Sequence, residues 1–230
     1  MAGEKKSWGW IGVVVVIAVI GWASQRSGHA PSGSPAAHAS VSASRTASAS
    51  AAPSGSASAS TPSTAEGQYD PADFAAPVER YARQAGIDPQ LLMAILYNES
   101  YKPHDPSFER AWQKLNPGAA FGIANMHEAT FNEVKQGRDF ADRSWQQLPD
   151  DPDLAIESAA WYLHDLATDL PGHWSGNYTE DELLALGYNT GPSNMLAFAR
   201  GVSMGTQAQT YLDTLRANWA KSGKAVGTGR

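Results

Sequence analysis

Leu92, Ile95, Leu96 and Glu99 stand at i, i+3, i+4 and i+7, the spacing that lines up one face of an α-helix. A carboxylate that continues an apolar stripe is stripped of part of its water. This one also stands near a helix C-terminus, whose partial negative charge disfavours another anion. Both effects raise its pKa. A carboxylic acid still protonated near neutral pH is what cleavage of a glycosidic bond needs, because the leaving oxygen must receive a proton as the bond breaks. The alternative is that Glu99 lies past the helix end and simply faces water.

A hydrolytic scheme with two acids requires a partner for Glu99 at a defined distance. Asp105, Glu109 and Glu128 are the local candidates, and each is expected to be a solvated surface acid. Other chemistries find no footing. His127-Glu128 lacks the second histidine that a zincin helix carries four residues after the first, where Phe131 stands. His104, His164 and His173 have no ligand spacing, and no phosphate loop, dinucleotide fingerprint or nucleophile elbow occurs. Neither metal nor cofactor is expected. Trp112 and Trp174 are the tryptophans most suited to stack on sugar, since both are read in irregular polar segments.

The elements that must position Glu99 read as helix after helix, so the fold class is all-α. A helix over residues 75–85 stops at Gly86. The next has Asp88 as N-cap and Pro89 at its first position and ends near Ser100. A third covers residues 126–135, and a long one starts at Asp151-Pro152 and ends before Pro171-Gly172. Thr179 and Glu182 have capping-box spacing ahead of Leu183, Leu184 and Leu186, with a break expected at Gly187. Tyr188-Asn189 then reads either as a turn or as part of a site. A short helix precedes Gly201, and a last one over residues 207–220 presents Ala208, Tyr211, Leu212, Leu215 and Trp219 at helical spacing. Residues 222–230 read as a basic flexible tail.

Asn98-Glu99-Ser100, closing an apolar helix that begins Asp88-Pro89-Gln90-Leu91-Leu92, resembles the Glu-Ser signature of the soluble lytic transglycosylase family. Phe121-Gly122-Ile123-Ala124-Asn125-Met126 is similar to that family's Gly-Leu-Met-Gln segment, and Tyr188-Asn189-Thr190-Gly191-Pro192 to its Tyr-Asn-Ala-Gly-Pro. The resemblance runs over residues 87–219, including Tyr211. It implies a lysozyme-like α-helical domain with a glycan groove, peptidoglycan as substrate, and no second carboxylate. It implies Glu99 as catalytic acid/base and Ser100 as a polar neighbour orienting substrate or carboxyl. Gly122 and Asn125 would line the groove, and Tyr188 and Asn189 would stand near the reacting sugar, the tyrosine as a candidate partner of Glu99. The expected reaction is lytic, ending in a 1,6-anhydro sugar. Hydrolysis is the narrower alternative, and a catalytically silent wall-binding module is the alternative from another class. Two departures stand out. Asn125 occupies the place of the family's glutamine, one methylene shorter, so that its contact is expected to be lost or rerouted through water. Residues 101–120 also exceed the family's short connection.

Composition is uneven along the 230 residues. Lys5 and Lys6 precede an apolar run over residues 8–23 flanked by Trp8, Trp10 and Trp22. As a helix it spans about 24 Å at ~1.5 Å per residue, against a hydrocarbon layer of about 30 Å. Residues 1–23 are therefore expected to be a signal anchor with the C-terminal part outside the cytoplasm, a cleaved signal peptide and secretion being the alternative. Residues 24–68 are mostly Ala, Ser, Pro, Thr and Gly with few charges and too few large apolar groups to offset chain entropy, the composition of a disordered tether. A flexible chain of that length spans on the order of 35 to 40 Å. Residues 69–221 are the expected catalytic domain, roughly 150 residues and hence one core. Over residues 69–220, 21 Asp and Glu stand against 10 Lys and Arg, a charge of −11. Such an acidic domain without a basic stripe is a poor partner for nucleic acid. The absence of cysteine excludes a disulfide scaffold and thiol chemistry.

Overall fold

The computed structural model describes residues 69–102 and 104–228. The expected anchor over residues 1–23 and tether over residues 24–68 lie outside them. Among the described residues no helix is long and apolar enough to cross a membrane. Eight α-helices follow one another in the described residues: α1 (Ala75–Ala85), α2 (Pro89–Glu99), α3 (Pro106–Leu115), α4 (Glu128–Val134), α5 (Pro152–Asp169), α6 (Glu180–Thr190), α7 (Pro192–Ala199) and α8 (Thr206–Ala225). The described residues contain no strand, only one antiparallel bridge between Phe121 and Met126. The all-α reading holds.

Helix α2 is the axis of the domain. It packs against α8, α1 and α6, and every residue from Leu91 to Glu99 is buried. The stripe expected on one face is thus a helix enclosed on all sides, which accounts for apolar side chains at Leu91, Met93 and Ala94 beyond the stripe. Its start follows from the Asp-Pro pair: the Asp88 side chain accepts from Gln90 N, and proline at the first turn gives up a donor that would be orphaned anyway. Upstream, Gly86 ends α1 in the left-handed conformation, φ 70°, which only glycine adopts freely.

Three boundaries differ from expectation. Residues 106–115, read as irregular, form α3, with Asp105 capping and Pro106 at the first turn. This repeats the Asp-Pro start of α2, and it places Trp112 on a helix. Helix α6 does not break at Gly187 but runs to Thr190, so Tyr188 and Asn189 are its last turn and not a connecting loop. Gly187 is there for packing: a Cβ would stand 2.7 Å from Met195 Sδ and 3.2 Å from both Leu166 methyls. Helix α8 runs on to Ala225, where Ser222 and Gly223 are buried. Residues 222–225 of the expected tail are therefore helix, and this last turn of α8 lies against Gln90 of α2, whose amide also donates to Trp219 O at 2.9 Å.

Candidate active site

Glu99 lies at the last position of α2 with 7% of its surface exposed. Its two oxygens are met from opposite sides. The Tyr211 hydroxyl of α8 donates to Oε1 at 3.0 Å, and Asn125 Nδ2 donates to Oε2 at 2.8 Å and to the Glu99 carbonyl at 3.2 Å. Burial raises the Glu99 pKa. The Asn125 and Tyr211 donors and the charges of Lys102 and His104 oppose that rise without cancelling it. The outcome is the one expected from the stripe, reached by fuller enclosure.

Asn125 keeps its contact in spite of its shorter side chain. Its backbone is left-handed, φ 48°, a conformation that asparagine tolerates better than most residues. The tight turn closed by the Phe121–Met126 bridge brings it against the end of α2. The orientation of its amide follows from chemistry. Lys102 Nζ, which can only donate, contacts one amide atom; that atom must be the oxygen, so the amide nitrogen faces Glu99. Lys102 itself is largely enclosed, and burial lowers its pKa against the pull of Glu109 and Glu99.

The remaining predicted residues divide. Ser100 Oγ donates to Tyr97 O at 2.8 Å, closing the last turn of α2. Ser100 also lines a recess of about 280 Å³ shared with Tyr69, Asp70, Tyr97 and Lys221. A larger hollow of about 480 Å³, between residues 175–178 and 201–204, contains none of the predicted site residues. Gly122 does not line an open groove. It is buried, with φ 72°, and a Cβ would stand 2.8 Å from Leu148 O, so glycine is there for close approach. Tyr188 is not the partner of Glu99: its hydroxyl donates to Ala124 O at 2.6 Å, bracing the turn that carries Asn125. Asn189 is half-buried beside it in the last turn of α6. Trp174 is half-buried with its indole N–H on Tyr178 O at 2.8 Å, a packing role, whereas Trp112 is exposed on α3.

The three candidate second carboxylates also separate. Asp105 and Glu128 are exposed as expected. Glu109 is not: it is 5% exposed, with Oε1 2.9 Å from His104 Nδ1 and Oε2 accepting from Gly122 N at 2.8 Å. It escaped sequence reading because α3 did. Once Asp105-Pro106 is taken as a helix start, Glu109 falls at the fourth position, one turn in.

The family model described as the transglycosylase SLT domain matches residues 76–207, more than half of the chain. The chain belongs to this transglycosylase family. Comparison with curated proteins and with solved structures gave no match. In this transglycosylase domain the Glu-Ser, Gly-Ile-Ala-Asn and Tyr-Asn-Thr-Gly-Pro segments, scattered over residues 98–192, converge on the end of α2: Asn125 touches Glu99 directly, and Tyr188 holds the backbone at Ala124.

Proposed function

We propose that the domain cleaves peptidoglycan glycan strands between N-acetylmuramic acid and N-acetylglucosamine, with Glu99 acting first as acid and then as base. The observation that carries this reading is a buried carboxyl with raised pKa between two neutral donors. Asn125 Nδ2 can only donate, so it suits an oxygen that stays unprotonated. The Tyr211 hydroxyl can donate or accept. The arrangement therefore favours the acidic proton on Oε1. That proton passes to the bridging oxygen as the bond to C1 breaks, and the 2-acetamido oxygen of the substrate covers the cationic C1. Both donors then stabilise the carboxylate left behind. Glu99 next removes the proton of the sugar's 6-hydroxyl while that oxygen bonds to C1, returning the acetamido group and closing the 1,6-anhydro ring. A hydrolytic route with two acids would need a second carboxylate to activate water. Glu109 has both oxygens engaged and cannot fill that role, which supports a mechanism with a single carboxylate.

In this reading the domain works outside the cytoplasm, held by residues 1–23 and reaching the wall on the tether of residues 24–68. The support is the sequence pattern of two lysines ahead of an apolar run. Fractionation with membranes, and removal of the domain by protease from cells stripped of wall, is the expected result; a mature form in the medium starting at Ser24 indicates cleavage instead. Digestion of purified peptidoglycan followed by mass analysis tests the reaction. Anhydro ends, lighter by one water than hydrolytic ends, are expected. Hydrolytic ends support a muramidase, and intact glycan supports a wall-binding module.

A further inference from the structure

We propose that His104 and Glu109 are positioning residues for Glu99, a buried pair supplied by residues 101–120 that ties the end of the catalytic helix to the turn carrying Asn125. The proposal rests on the reading of Glu99 as the acid/base.

Helix α3 is docked in an unusual way. Of its ten residues only Glu109 is buried, while Phe108, Trp112 and Leu115 are 51%, 44% and 77% exposed. An amphipathic helix normally turns its apolar side chains inward; this one turns a carboxylate inward. The carboxylate is fully committed, Oε1 to His104 Nδ1 at 2.9 Å and Oε2 to Gly122 N at 2.8 Å. His104 Nε2 stands 3.0 Å from the Glu99 carbonyl, one of the last carbonyls of α2 that have no partner within the helix. The result is a continuous chain of hydrogen bonds, from the backbone of Gly122 through Glu109 and His104 to the backbone of Glu99. Three residues beyond Gly122, Asn125 closes the circuit on the Glu99 side chain.

The protons can be counted. A carbonyl oxygen only accepts, so His104 Nε2 carries a hydrogen. One further proton must lie between Nδ1 and Glu109 Oε1, whether it is drawn on the ring or on the carboxyl. The pair carries no net charge either way. The environment agrees. The His104 and Glu109 side chains are 2% and 4% exposed, and the Tyr69 ring closes edge-on over the imidazole at 4.8 Å. His104 is held at φ 42°, a conformation a histidine keeps only when its surroundings over-determine it.

Both oxygens being occupied separates this role from that of a second catalytic carboxylate, and one substitution distinguishes them. In Glu109→Gln the amide can donate to His104 Nδ1 while its oxygen accepts from Gly122 N–H, so the tie survives without a carboxylate. In Glu109→Ala it does not. The test uses the full chain acting on peptidoglycan, with kcat and KM measured and near-UV circular dichroism as the check of folding. Glu109→Ala should lower kcat by ~10-fold or more with KM within about twofold, since misplacement of a catalytic group by about 1 Å is that costly. Glu109→Gln should stay within about threefold of the wild type. If Glu109→Gln is as slow as Glu109→Ala, the carboxylate itself is needed and the proposal is overturned. Wild-type kcat in Glu109→Ala overturns it as well. Should Glu109→Ala fail to fold, His104→Ala, which leaves the Glu109 to Gly122 bond in place, must show the same selective loss of kcat, and an unchanged kcat there overturns the proposal. Glu99→Gln is run in parallel. If it is inactive while Glu109→Ala is active, the positioning role alone fails; if it is itself active, the acid/base reading fails and the positioning role with it.

Discussion

Glu99 is supported from two sides that are built differently. On one side α8 packs along α2 over most of its length. Leu212 and Leu215 of α8 are buried, Gln90 reaches Trp219 O, Asn98 Nδ2 reaches Tyr211 O at 3.1 Å, and Asn218 Nδ2 reaches Asn98 Oδ1 at 3.0 Å. Tyr211 delivers its hydroxyl from a scaffold that would stand without that bond. On the other side residues 102–125 contribute polar contacts and two non-glycine residues at positive φ, His104 and Asn125. Here part of what holds the segment, the Glu109–His104 tie and the Asn125 amide, is also what meets Glu99. A loss on the α8 side should therefore stay local, whereas a loss on the other side should spread through the network.

Glu99→Gln removes what both sides serve, and a rate loss of ~10²-fold or more is expected from peptidoglycan turnover, the usual worth of general acid–base catalysis. The fold should persist, because the amide oxygen can accept from Asn125 and the Tyr211 hydroxyl can accept from the new amide nitrogen. The sign of the stability change follows from the raised pKa. Above the ordinary carboxyl value of 4.5 the unfolded chain has released this proton while the native state keeps it. Wild-type stability thus falls as pH rises from 4.5 through the folded value. The substitution abolishes that decline: its melting temperature should match wild type below pH 4.5 and equal or exceed it at neutral pH. A variant that melts well below wild type at neutral pH counts against the burial argument.

Lys102→Met tests the spreading side. It leaves the Asn125 amide without the donor that orients it, so activity should drop by ~10-fold. It also removes a charge that lowers the Glu99 pKa, so the alkaline limb of the pH–rate profile should move to higher pH. Tyr211→Phe tests the local side. The ring stays packed and one donor to Oε1 goes. A loss of only about threefold in rate is expected, with a stability change of about 1 kcal/mol by denaturant titration and an alkaline limb again displaced upward. A larger rate loss in Tyr211→Phe than in Lys102→Met would reverse the comparison.

The smallest effect is expected from Asp181→Asn. Asp181, in the first turn of α6, is pushed up to about 6, chiefly by burial and then by the charges of Asp88, Glu180 and Glu182. Its native state holds a proton that the unfolded chain has lost between pH 3.8 and about 6, so wild-type stability declines across that window. The variant should melt slightly higher above pH 6, the same below pH 3.8, and turn over glycan at the wild-type rate. This marks burial of a carboxyl alone as insufficient for function.

Much of this arrangement can be read from local chemistry. Asp88-Pro89, Thr179 with Glu182, Asp151-Pro152 and Gly86 each declare a helix end through a cap or a left-handed residue. Glu99 is marked by an apolar helix that ends in an acid. What escapes is whatever depends on tertiary approach. Gly187 looks like a breaker until Met195 and Leu166 are seen against it, and Tyr188 is the candidate partner of Glu99 until α6 and α8 are placed and Tyr211 is found in that position. Residues 101–120 defeat a pattern search for a different reason. Their helix is inverted, apolar outward and acid inward, so the usual inference from amphipathicity to burial points the wrong way.

The course of α8 bears on how this domain can be cut and recombined. The family match ends at residue 207, only two residues into that helix, yet Tyr211 and the residues that cover Gln90 and Asn98 all lie beyond it. An excised piece bounded by the match would retain every signature segment and lose the partner of Glu99 Oε1. A chimera joined at that border would set one protein's acid against another's tyrosine. The smallest transferable unit is therefore defined by the far end of α8, and any exchange between relatives must carry α2 and α8 together.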